Sequence, residues 1–151
     1  MKPIYFERSW PYALAVIGAF LWWVYGSSYF PAAPEALLSA TGTFSSVLIG
    51  FLITAKAIVL GLTGSAVFKK LVETGYHKVL FDYLYESLWS ATMLLTVSIV
   101  GFFVPVRPPA GASAVAGMPL WYQVIWVLSA LAALFLFIRI SRHLFTMLRQ
   151  V

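Results

Sequence analysis

The sequence predicts an all-α integral membrane protein: four transmembrane helices, both termini cytoplasmic, and helical extensions on the cytoplasmic side. Three observations predict it. Of 151 residues, 62% are hydrophobic and only 10% charged, against about 25% charged in a soluble domain. The mean hydropathy of +0.90 leaves too little polar surface to face water. Four mainly apolar segments, Trp10–Phe30, Gly42–Thr63, Val79–Val104 and Leu120–Ile140, each reach the roughly 20 residues that a bilayer core requires. The chain therefore reads as one transmembrane domain, residues 1–151, with cytoplasmic segments at 64–78 and 141–151.

The first span follows Lys2 and Arg8 and precedes PAAPEA, an arrangement that a cleaved signal peptide shares. Its apolar run exceeds the roughly 7–15 residues of a signal core and holds bulky Trp22 and Trp23, so it is expected to stay as a span. FPAAPEALLSA (Phe30–Ala40), with its two prolines, reads as a short turn into the second span. The connection GSAVFKKLVETGYHK (Gly64–Lys78) is polar yet periodic. Val67, Leu71 and Val72 share one face and Lys69, Lys70 and Glu73 lie elsewhere, so the second helix is expected to run on into the cytoplasm and stop at Gly75. VPVRPPAGASAVAGMP (Val104–Pro119) lacks periodicity and reads as a loop. The last span continues through RISRHLFTMLRQ, with Ile140, Leu144 and Met147 on one side and a basic collar of Arg139, Arg142, His143 and Arg149.

Orientation follows from the basic residues beside the spans, which gather in cytoplasmic loops. Lys2 and Arg8 precede the first span, Lys69, Lys70 and Lys78 separate the second from the third, and Arg139, Arg142 and Arg149 follow the fourth. The other two loops hold only Arg107. This dispersed charge, net +5, fits asymmetry across a bilayer and not a direct nucleic-acid surface. Anionic head groups attract such residues by about 1 kcal/mol each; a helical stalk of this kind can also dock a cytoplasmic protein.

The absence of cysteine removes disulfides, thiolate catalysis and thiolate metal sites. His77 and His143 lie at the cytoplasmic edge and not within spans, and no Gly-rich phosphate loop or metalloprotease spacing occurs. The expectation is no enzyme, no metal and no cofactor.

Two features inside the spans invite a role. Lys56 lies about seven residues, or about 10 Å, before the end of the second span, and an unmatched lysine deep in lipid costs about 2.5–3.5 kcal/mol. The third span, running the opposite way, offers Asp82 and Glu86 on one helical face, with Ser90 continuing it. Counting residues puts Glu86 at the depth of Lys56 and predicts a Lys56–Glu86 pair, with Asp82 nearer the interface. Such a pair either fixes the register of two helices or lines a gate for ions or protons. On the second span Ser46, Gly50, Thr54, Ala57 and Gly61 form a row of small side chains, which lets another helix approach closely. Lys56 stands about 200° from Thr54 and faces elsewhere. The row serves packing either within one bundle or between subunits.

Four spans, the GTFSS start of the second, the KKLVETGYHK stretch before the third, and the basic tail together resemble the small four-helix membrane proteins of bacterial phage-exclusion (abortive infection) systems, lambda Rex B type. The resemblance implies a multi-pass protein of the cell inner membrane that permeabilises it in infected cells, with a cytoplasmic partner as trigger. It transfers no catalytic motif. A homo-oligomeric ion channel or depolarising effector in the bilayer is therefore one expectation. The other is a non-catalytic accessory or assembly subunit of a larger membrane complex.

Overall fold

The computed structural model describes residues 4–26, 33–61, 64, 72, 76–105 and 118–148. Every regular element among them is helical. Helix α1 spans Ile4–Leu21 and continues as a π-helical turn over Trp22–Gly26; α2 spans Pro34–Gly61, α3 Tyr76–Gly101 and α4 Leu120–Leu148. Helices α2, α3 and α4 are long and apolar enough to cross a membrane. Helix α1 spends its early turns on Glu7 and Arg8 and holds Pro11 in its interior, where proline removes a backbone hydrogen bond.

The element boundaries correct the sequence expectation at two places. The second helix starts at Pro34 and not near Gly42, so all of PEALLSA, expected to be turn, is helix. Proline is well suited to a first turn, since the N–H it lacks would have no partner there, and Glu35 complements the positive end of the helix. The third helix starts at Tyr76, inside the expected connection. Helix α4 runs past Ile140 to Leu148, as the RISRHLFTML periodicity predicts. Most of the expected extension over Ser65–Gly75, with Lys69 and Lys70, lies outside the described residues, as does Arg149.

Helix α3 packs between α2 and α4, and α1 packs along α4 in preference to its sequence neighbour α2. Trp10 meets Phe135 edge to face, and Trp22 Nε1 donates to Gln123 Oε1 at 3.3 Å, which fixes α1 antiparallel to α4. Gln123 in turn donates to the Met118 carbonyl at 2.8 Å. The start of α1 and the end of α4 thus lie together with the start of α3, at what we term the charged end.

One buried cluster joins Leu48 and Leu52 of α2 with Leu80, Tyr83, Leu84 and Ala91 of α3 and Ile140 of α4. A second, of Leu38, Met118 and Tyr122, closes the opposite end. There the Tyr122 hydroxyl donates to the Val97 carbonyl at 2.7 Å. Gly101 lets these groups meet: a Cβ at this position would strike the Tyr122 hydroxyl and both methyls of Leu38. Gly50 has open space around it. Gly101→Leu is therefore expected to destabilise the fold by about 1–3 kcal/mol, the usual cost of overpacking, while Gly50→Leu leaves the stability of the single chain nearly unchanged. Unfolding of the two variants in detergent, followed by circular dichroism, measures the contrast.

Candidate functional site

Helix α4 carries an uncharged run from Leu120 to Ile138, about 28 Å at 1.5 Å per residue, close to the thickness of a bilayer core. Arg139 ends that run. Its residue is 2% exposed, and its Nη2 donates to Glu86 Oε2 at 2.6 Å across the α3–α4 contact. The guanidinium lies over the Tyr83 ring, 4.0 Å from the centroid. Tyr83 precedes Glu86 by three residues on α3, so one helical face presents both partners. His143, one turn beyond Arg139, is tilted 40° against the same ring at 5.3 Å. From α1, the Tyr12 hydroxyl makes a long 3.5 Å contact with Glu86 Oε2. Ser87 adds a bond between the helices, its hydroxyl donating to the Leu136 carbonyl at 3.2 Å. Three helices converge on one carboxylate.

This arrangement replaces the expected Lys56–Glu86 pair. Lys56 is exposed, and Glu86 is matched by Arg139. Register explains the difference. Leu38 lies against Gly101 and Gly42 faces Leu95, so counting along the antiparallel helices sets Lys56 level with Phe81–Tyr83, about one turn nearer the charged end than Glu86. The early start of α3 at Tyr76, missed in the sequence, places Glu86 deeper than residue counting from Val79 allows. Asp82 is exposed too, near the same level, and does not join the pair.

The basic collar also needs correction. Arg142 and Lys78 are exposed, as a cytoplasmic basic surface requires, but Arg139 is buried and His143 is half-buried against Tyr83. The signal for Arg139 was present: it shares a face with Leu136, Ile140 and His143, at helical spacing. A planar guanidinium stacks on aromatic rings and is weakly hydrated, which suits it to such a position.

The small-residue row lies on the outside of the chain. Ser46, Gly50, Thr54, Ala57 and Gly61 are all exposed, and a Cβ added at Gly50 or Gly61 would meet nothing within 4 Å. The buried α2 residues Leu48 and Leu52 stand about 180° around the helix from the row's centre. Among the described residues, nothing in this chain packs against the row. Ser46 and Thr54 donate to the carbonyls of Gly42 and Gly50, one turn earlier, so their hydroxyls are satisfied without water.

No family model, characterised protein or solved structure matches the chain. The roles of these residues rest on their geometry.

Removing one member of a buried ion pair strands the other, a loss of about 3–5 kcal/mol, whereas replacing both with apolar residues is often neutral. Arg139→Leu and Glu86→Leu alone are each expected to destabilise by about that amount, and the double variant to recover most of it. A thermal-unfolding cycle of the four proteins in detergent measures the coupling.

Proposed function

We propose that this chain is a homo-oligomeric, multi-pass protein of the cell inner membrane whose copies meet along α2 and pass ions between subunits when triggered. The observation that carries this reading is the exposed row Ser46–Gly50–Thr54–Ala57–Gly61, turned away from the chain's own core. Small side chains at such a surface let two helix backbones come close, and that close packing is what holds helices together in lipid. Bulky exposed side chains flank the row, Val47, Phe51, Ile53 and Ile58 on α2, and cover much of the other helices, among them Ile99, Val100, Leu128 and Ile138.

Insertion in a bilayer is supported by the three apolar helices and by two groups of exposed aromatics. Trp23, Tyr25, Phe102, Phe103 and Trp121 lie towards one end, and Tyr12 and Tyr85 towards the other, as interfacial belts do. On this reading α1 with its π turn is the fourth crossing, the charged end faces the cytoplasm, and both termini lie there. The buried Arg139–Glu86 pair argues against a path through the middle of one chain, because it fills the α3–α4 contact. Lys56 and Asp82 are exposed near the charged end, as are Lys78 and Arg142, and Lys56 stands about 120° around α2 from the centre of the row, beside the contact between copies. A role in phage exclusion, with a cytoplasmic protein as trigger, fits this picture.

The chain has no cysteine, so Gly50→Cys introduces a single thiol. Oxidation of membranes carrying Gly50→Cys is expected to give a disulfide dimer, and expression of the unmodified chain to depolarise cells, read with a potential-sensitive dye. Gly50→Leu is expected to lose both the assembly and the depolarisation while keeping the folded chain. A monomer throughout, or co-purification with a larger complex and no change in potential, overturns the reading in favour of an accessory subunit.

A further inference from the structure

Two cations at the charged end, Lys56 and Lys78, are exposed and have no carboxylate partner among the described residues. Their positions around the helices bring them together. Lys56 comes eighteen residues, five full turns, after Leu38, so the two share one side of α2. That side faces α3, because Leu38 lies against Gly101. On α3, Phe81 packs against the buried cluster to which α2 contributes Leu48 and Leu52. Lys78 and Tyr85 come three residues before and four after Phe81, about 60° and 40° further round. Both are exposed, on the side turned away from Ser87 and hence from α4. Lys56 is level with Phe81–Tyr83, so Lys78 and Tyr85 flank it along the helix axis. The outer seam between α2 and α3 thus carries two ammonium groups and a phenol hydroxyl.

Depth gives this seam a chemical setting. Between Glu35 and Lys56, α2 carries an uncharged run, Ala36–Ala55, which is about 30 Å long and matches a bilayer core. With α2 across a bilayer, Lys56 stands where hydrocarbon gives way to phosphate; the inference rests on that part of the proposed function and not on ion passage. One turn deeper along the same seam, Ile53 of α2 and Trp89 of α3 are exposed. A free phosphate ion gains nothing from that apolar surface. A phospholipid does, because its charged head and apolar tail come in the same order as the lysines and these side chains. Among the described residues the acid on this side of α3 is Asp82, about 100° round from Phe81, so Lys78 stands between it and α2. The small-residue row lies about 120° around α2 from Lys56, which leaves the seam open when a second copy docks there.

We propose that Lys56, Lys78 and Tyr85 form a binding site for one anionic glycerophospholipid. Both ammonium groups and the phenol hydroxyl donate to its phosphate oxygens, and an acyl chain lies over Ile53 and Trp89. A basic pocket between membrane helices is suited to such a head group. Diffuse attraction to a basic surface holds many lipids loosely; this seam holds one.

The test uses the full chain reconstituted in vesicles of equimolar phosphatidylglycerol and phosphatidylcholine, checked by flotation and extracted in mild detergent. Native mass spectrometry then counts and identifies the lipids retained. The expected result is a single adduct, with phosphatidylglycerol favoured over phosphatidylcholine by about fivefold or more. Lys56→Gln combined with Lys78→Gln is expected to make the two lipids equal, and Lys56→Arg to keep the preference. Arg142→Gln removes one charge from the same end, but Arg142 stands about 200° around α4 from the buried Ile140 and outside the seam. Its preference is expected to be unchanged. A preference that survives the double lysine variant overturns the site. So does a preference that Arg142→Gln lowers as far as Lys56→Gln does, which is the mark of diffuse attraction. Displacement of the lipid by excess inorganic phosphate at matched ionic strength overturns it as well, since the seam would then read free phosphate. A chain that fails to float with the vesicles sinks bilayer insertion and the site together; one that floats and retains both lipids equally sinks the site alone.

Discussion

The position of α3 relative to α4 depends on one charge that must be matched where water is scarce. Arg139 sits at the end of a long uncharged run and is sealed from solvent, so only a fixed acceptor makes its burial tolerable. Glu86 meets that need at 2.6 Å and Tyr83 provides an aromatic face for the rest of the guanidinium. Matching the pair sets the register of the two helices. Ser87 to Leu136 beside it, and Tyr122 to Val97 near the far end, are then in reach without further adjustment. Sliding α4 by one residue would separate all three contacts together. That interdependence makes the register specific in a way that leucine packing alone, being non-directional, does not.

Polar groups elsewhere follow a different rule, and the contrast explains the outer surface. Thr43, Ser46, Thr54, Thr96 and Ser129 each donate to a carbonyl one turn earlier on their own helix. A hydroxyl satisfied this way demands neither water nor a partner. Helix α2 can thus present a row of small, partly hydroxylated residues to lipid or to another helix with no polar atom exposed at a cost. Its opposite side supplies Leu48 and Leu52 to the core. The helix has one side committed to its own chain and one side uncommitted.

The helical class and three helices long and apolar enough to cross a membrane were legible, because apolar length alone decides them. Helix ends were less so. Pro34 and Pro31 suggested a turn, yet a proline at the first helical position opens a helix as readily as it ends one, and only the tertiary position of Leu38 against Gly101 settles which. That the small residues of α2 share a face was legible from their spacing; that the face is uncommitted was not, since spacing does not say which side a neighbour occupies. For the site, Glu86 was correctly singled out as a charge needing a partner, but its partner was misassigned.

Lysine and arginine differ in what burial demands of them. Lys56 interrupts an apolar run, whereas Arg139 sits where a run ends, a position that in the sequence reads as ordinary surface. Depth along the sequence favoured lysine; chemistry favours arginine. A lysine ammonium is compact and strongly hydrated, on a stem that carries it back to water, so near the end of a span it escapes and does not pair. A guanidinium is broad, weakly hydrated and able to bond and stack at once, so it can remain where a carboxylate and an aromatic ring converge. Tyr83 and Glu86, three residues apart, offer that combination on a single face of α3, and the arginine whose helix faces them takes the place.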